Sequence, residues 1–281
     1  MNVCGQLKIQ LSTNKIFDNN MNNHIVLGVD IGGTGIKGGL VDIKKGVLIT
    51  ERHRIPTPKP STPKRVTETF EDLVDHFDWK GKIVGCGFPA IIKNGKALSA
   101  ANVHDDWKNT NAEKLFSKAT KCKVFVSNDA DVAGIAEISF GAGKKTGTVL
   151  LITIGTGLGS ALFINGQLVP NTEFGHFYLK GHKKIAEKYT SEAVRKNEDL
   201  SWEEWTPRFN EYLNHLELLF SPDLILLGGG GSKKFEHFGH LLDTKTKVKP
   251  AILKNHAGII GAAMYGYQKA LDLESKASSI L

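Results

Sequence analysis

A strand, a tight glycine turn and a returning strand occur twice in this chain, once near the start of each half. No other feature constrains the fold as much. The first copy is the apolar run His24–Asp30, the turn Ile31-Gly32-Gly33-Thr34-Gly35 and the run Ile36–Val41. The second is Thr148–Ile154, the turn Gly155-Thr156-Gly157 and the run Gly159–Ile164. Short apolar runs that return at once across glycines predict β-hairpins. Gly46–Ile55, Lys82–Phe88, Cys122–Ser127 and Asp223–Leu227 read as further strands. Helical spacing is expected over Pro63–Phe77, Asn111–Thr120, Ala130–Ile138, the stretch from the capping box at Ser201 to Phe220, and Ala257–Leu273. Strands interleaved with helices predict α/β layers. With 281 residues the chain has room for two lobes. They are expected over 24–130 and 131–281, with the last helix packing back toward the first.

The turns are suited to an anion. Glycines let the backbone approach a ligand without a Cβ in the way, and successive N–H groups form an anion-binding nest. In the first copy Gly32, Gly33 and Thr34 would grip a phosphate, with Lys37 as a nearby positive charge. Asp30, at the strand end, is placed to hold Mg²⁺ through water. In the second copy Thr153, Gly155, Thr156 and Gly157 repeat the arrangement. A plain hairpin would look the same in either copy alone. Neither copy is a P-loop, which ends in GK[ST], nor a Rossmann turn opening a helix.

Asn128-Asp129 ends a strand before a helix of small residues. A carboxylate there can accept the proton of an attacking hydroxyl, with Asn128 orienting the acceptor. Capping the next helix is the competing role for Asp129. Glu173-Phe-Gly-His176 places a carboxylate and an imidazole three residues apart. One His and one Glu without cysteine make a poor zinc site, whereas a carboxylate accepts two vicinal sugar hydroxyls well.

The net charge of +7 favours an anionic partner without choosing among nucleic acid, a phosphate donor and an anionic surface. Cys4, Cys86 and Cys122 form no CxxC pair, as expected in a reducing cytoplasm. No apolar run approaches the roughly 20 residues of a membrane span. The polar, Asn-rich residues 1–23 lack a signal-peptide pattern and read as a disordered extension or, with Met21 just before the first strand, as a misassigned start.

The order DIGGTxxK, NDAD, GTGLG, ExGH and a late GGG resembles the ROK family of repressors and sugar kinases, from about residue 24 to 270. The resemblance implies two RNase-H-like lobes of the actin-like ATPase and sugar-kinase superfamily, with phosphate loops facing across an interlobe cleft. It implies Mg²⁺, a hexose in the cleft and Asp129 as catalytic base. Sugar contacts are implied for Asn102, Asn128, Asp129, Glu173, His176 and Glu187, and donor contacts for Gly229 and Gly230. Gly87-Phe-Pro-Ala90 resembles the loop that lines the sugar pocket.

Most members follow ExGH with a cysteine-rich zinc motif, but here His176 leads into Phe-Tyr-Leu-Lys-Gly-His-Lys-Lys-Ile-Ala-Glu187. No structural zinc is therefore expected. The chain is similar to the zinc-free members that phosphorylate glucose from polyphosphate. Stretches 56–63, 200–205, 215–223 and 255–261 agree with them. Lysines at 144–145, 183–184, 233–234, 245, 247 and 249 would supply a basic track for such a donor, or simply a solvated face. ATP as donor and another hexose as acceptor stay open. A sugar-responsive regulator would need a DNA-reading helix-turn-helix before the first loop, and only 23 residues precede His24. The resemblance implies a homodimer, although core packing explains the apolar residues of Trp202–Phe220 equally well; with no apolar span and no helix-turn-helix, neither a membrane nor a nucleic-acid partner is expected.

Overall fold

The computed structural model describes residues 24–100, 103–144 and 146–278. The extension expected over 1–23, Asn102 and Lys145 lie outside the described residues. The chain divides into two compact units. One takes in the described residues up to Ser127 together with those from Ala262 onward, and the other the described residues of Asn128–Gly261.

In the first unit β1 (Ile25–Gly32) and β2 (Gly35–Asp42) form the first hairpin, in register from Ile25 opposite Asp42 to Gly32 opposite Gly35. The single strand expected over Gly46–Ile55 is two short ones, β3 (Val47–Leu48) and β4 (His53–Ile55). Both pair with β2, one toward each end. At the break the Thr50 hydroxyl accepts the Leu40 N–H at 3.0 Å, in place of a main-chain partner. Helix α1 (Pro63–His76) opens on a proline and buries Val66, Phe70, Leu73 and Val74 on one face. Then come β5 (Ile83–Phe88), the small ribbon β6 (Ile92–Lys93) and β7 (Lys96–Ala97), α2 (Ala112–Thr120) and β8 (Lys123–Asn128). The sheet order is β3-β2-β1-β5-β8 with β4 also on β2, and β1 runs parallel to β5. Phe70 of α1 stacks on Phe116 of α2 at 4.3 Å, closing a core with the buried residues of β1 and β5. Each such fully buried side chain contributes about 1.5–3 kcal/mol.

The second unit starts with α3 (Asp129–Ser139). The second hairpin follows as β9 (Thr148–Ile154) and β10 (Leu158–Ile164), extended by β11 (Gln167–Val169). Short helices α4 (Glu187–Thr190) and α5 (Glu192–Asn197) lead to α6 (Trp202–Phe220). Both bonds of the capping box at Ser201 and Glu204 are present, at 3.2 and 2.9 Å. Strand β12 (Leu224–Gly229), α7 (Phe235–Phe238) and β13 (Val248–Pro250) complete the unit, with sheet order β11-β10-β9-β12-β13. Period two decides which neighbour each side chain meets. Leu150, Ile152 and Ile154 pack with Trp205, Phe209 and Leu213 of α6. Val149 and Leu151 pack with Phe163, Leu226 and the partly buried Ala133 and Ile138 of α3.

Helix α8 (Ala257–Ser278) starts in the second unit and continues in the first. Within the first unit its backbone lies directly on β5. A Cβ at Gly85 would stand 1.7 Å from the Ala262 carbonyl oxygen, so only glycine is possible there.

Candidate active site

The first glycine turn is held from beneath. Arg54 of β4, opposite Lys37 in register, donates to the Thr34 carbonyl at 2.6 Å and fills the space above Gly35. The Thr57 hydroxyl donates to the Gly32 carbonyl. Lys37 does not stand as an open charge, because its Nζ lies 2.8 Å from Asp30 Oδ2 across the hairpin. Gly33 and Thr34 are exposed at the tip. A Cβ on Gly33 would meet no atom within 4 Å, and its φ is not positive. Neither packing nor backbone strain therefore accounts for glycine there. Arg54 was not singled out in the sequence, since only the pairing of β4 with β2 brings it to the turn.

The second turn has the same character. Gly155 also faces open space at a φ that is not positive. Gly157 is different, because a Cβ there would lie 2.3 Å from Glu187 Oε2. Its absence lets Glu187 come against the turn, where the Leu158 N–H donates to it at 3.4 Å. Thr153 is half-buried and Thr156 exposed. Beside them β12 runs parallel to β9 and sets Gly228 opposite Thr153 and Gly229 opposite Ile154. Gly229 has φ +76°, and a Cβ there would be 2.6 Å from the Ile154 carbonyl oxygen. Gly230, in helical backbone at φ −67°, faces open space. Lys233 and Lys234 are exposed on the turn that follows it.

At the start of α3 the competing role for Asp129 falls to its neighbour. Asn128 is the N-cap, its Oδ1 accepting from the N–H groups of Ala130 and Asp131 at 2.8 and 3.1 Å. Asp129 sits in the first helical position, half-buried, with one oxygen 2.8 Å from the Ala130 N–H.

Asp131, which the sequence presented only as the end of Asn128-Asp-Ala-Asp131, is fully buried. Its Oδ2 accepts the Asn171 N–H at 2.9 Å, and its Oδ1 has no hydrogen-bond partner among the described residues. Burial pushes its carboxyl up to about 7, with Glu173's charge adding to the rise and the Asn171 N–H opposing it. Asp131 thus links the helix of Asp129 to the segment of Glu173. Ser160 of β10 fixes that segment further, accepting the Phe174 N–H at 2.9 Å and donating to the Thr172 carbonyl at 2.8 Å.

Glu173, His176 and Glu187 come together as one cluster. His176 Nδ1 is 3.3 Å from Glu173 Oε2, and its Nε2 is 3.9 Å from Glu187 Oε1. Burial raises the Glu173 carboxyl above its ordinary value, with His176 opposing and Glu187 reinforcing the rise. Two carboxylates on either side of an imidazole offer hydrogen-bond acceptors and a ring nitrogen, groups suited to sugar hydroxyls.

Two α/β units, each built on a strand–glycine turn–strand hairpin, define the actin-like ATPase and RNase-H-like class of fold. Within that class the chain belongs to the ROK family, whose model matches residues 26–187. A polyphosphate glucokinase of Mycobacterium tuberculosis is 43% identical over 239 residues, spanning 84% of this chain and 89% of that one. The crystal structure of inorganic polyphosphate/ATP-glucomannokinase from Arthrobacter sp. strain KM superposes with a TM-score of 0.83 at 45% identity, covering 88% of this chain and all of that one. A ROK family glucokinase from Streptomyces griseus, solved with glucose and AMPPNP, gives a TM-score of 0.75 at 25% identity over 87% of this chain and 99% of that one.

Proposed function

We propose that this chain transfers the terminal phosphoryl group of inorganic polyphosphate to the 6-hydroxyl of glucose, giving glucose 6-phosphate and a polyphosphate one unit shorter. The observation that carries this reading is the 43% identity to a polyphosphate glucokinase along 84% of the chain. The local geometry within each unit supports this reading. Asp129 takes the proton from the glucose hydroxyl as its oxygen bonds to the terminal phosphorus, and the bridging P–O bond breaks toward the shortened chain. Asn128, Glu173, His176 and Glu187 hold the sugar, and Asn102, outside the described residues, is assigned a sugar contact by the family pattern alone. The donor-contacting residues of the first unit are Gly32, Gly33 and Thr34, with Lys37 acting through its pair with Asp30, and those of the second unit are Thr153, Gly155, Thr156, Gly157, Gly229 and Gly230.

Mg²⁺ usually takes one or two carboxylates together with substrate phosphates and water. Asp30 suits that role, because Lys37 engages its Oδ2 and leaves the carboxylate a second oxygen. When bound there the ion would neutralise charge on the donor phosphates. Among the described residues no helix is long and apolar enough to cross a membrane. The buried free thiols of Cys86 and Cys122 suit a reducing cytoplasm.

ATP is a second donor under this reading, favoured by the likeness to a polyphosphate/ATP enzyme and by the open glycine at Gly230. The test is formation of glucose 6-phosphate from glucose with long-chain polyphosphate or ATP, each with and without Mg²⁺. Turnover with polyphosphate that requires Mg²⁺ is expected. Turnover with ATP alone would refute the donor assignment while leaving the sugar kinase intact.

A further inference from the structure

The first unit contains a cavity that the reaction above uses at Gly33 alone. It has a volume of about 390 Å³ and begins at Gly33, the open tip of the first glycine turn. Thr57, Lys59, Ser61, Val103 and His104 form much of its wall, and no acidic residue lines it. A water takes about 30 Å³, so the space admits several phosphate units. The wall is firmly built. Thr57 donates to the Gly32 carbonyl, which fixes the proline-rich segment against the turn. Ser61 accepts the His104 N–H at 3.2 Å, and its carbonyl accepts the fully buried Trp107 indole at 2.9 Å. Arg65 donates to the Lys59 carbonyl, while the Lys59 side chain is exposed.

The lining chemistry selects among ligands. A lysine, an imidazole and two hydroxyls beside a glycine turn suit a run of phosphates, and no aromatic carbocycle or indole of the wall offers a face for stacking a base. His104 Nδ1 also lies 3.3 Å from Asp106 Oδ2, so part of that imidazole is already engaged and Lys59 carries the main positive charge. We infer that this cavity is the subsite for the phosphate units of a linear polyphosphate that lie beyond the transferred one, with Lys59 as its principal cation. The inference rests on the proposed polyphosphate donor. It makes the segment Thr57–Ser61 a determinant of donor choice, because ATP has nothing to place there but its nucleoside end.

Lys59→Ala tests it through steady-state kinetics with long-chain polyphosphate, ATP and glucose as varied substrates over a series of salt concentrations. The KM for polyphosphate should rise about tenfold, and the slope of its logarithm against log salt should flatten by about 0.7 to 1, the share of one lost phosphate contact. The KM values for ATP and glucose should stay unchanged, and Lys59→Arg should restore the salt slope. A merely structural role for Lys59 would not move that slope selectively. An unchanged polyphosphate KM and slope, or an equal rise for both donors, would overturn the subsite. Wild-type protein that turns over ATP but no polyphosphate would instead overturn the underlying donor reading before any variant is made.

Discussion

Asp131 shows how much burying a single carboxyl can cost. Its carboxyl is pushed from 3.8 up to about 7, chiefly by burial. The folded protein therefore holds a proton that the unfolded chain has released between those two values. Stability falls as pH rises from about 4 to 7 and levels off above, by roughly 4 kcal/mol for this group alone. Asp131→Asn, which removes the charge at constant size, should flatten that stretch of the profile and raise the melting temperature at pH 8. Thermal melts between pH 5 and 8 check this, and a variant with the wild-type pH dependence would show that Asp131 is not the group responsible. Residues at this scale were unequally legible. Glu173 and His176 declare themselves by spacing, and Asn128 and Asp129 by their place at a strand end. Glu187 needed the family pattern. Arg54 and Asp131 stayed hidden, because each reaches the site only through pairing or burial that local sequence does not encode.

Among the elements, the glycine strip after β12 separates two uses of one residue type. Gly229 is demanded by its positive φ and by the Ile154 backbone, whereas Gly230 has ordinary helical backbone and open space around it. Gly229→Ala should cost about 1–3 kcal/mol of stability through strain. Gly230→Ala should leave the melting temperature unchanged and raise the donor KM. Equal melting temperatures for the two variants, or a Gly230→Ala enzyme with normal donor KM, would remove the strip from the donor site. The strands themselves were readable, since buried runs and alternation survive folding unchanged. The segment Gly46–Ile55 was not, because Thr50's hydroxyl takes a main-chain partner's place and splits one apparent strand into two. The cavity along Thr57–Ser61 was equally illegible: prolines announce an extended link, but not that Thr57 and Ser61 tie it to Gly32 and Trp107.

For the whole molecule, the two hairpins seen in the sequence correspond to two units, and the break falls between Ser127 and Asn128, one residue before the proposed base. The first unit holds Asp30, Lys37 and the cavity at Lys59; the second holds Asp129 and the Glu173–His176–Glu187 cluster. The net charge of +7 suits a polyanionic donor, but that Lys59 lines the cavity at Gly33 was beyond the reach of composition. What the account stands on is the role of Asp129 in proton transfer. Its most direct test is Asp129→Asn, with turnover measured alongside glucose binding by calorimetry. Turnover should fall by roughly 100- to 10,000-fold, the usual worth of a general base, while glucose affinity stays measurable. Near-normal turnover in that variant would contradict the account.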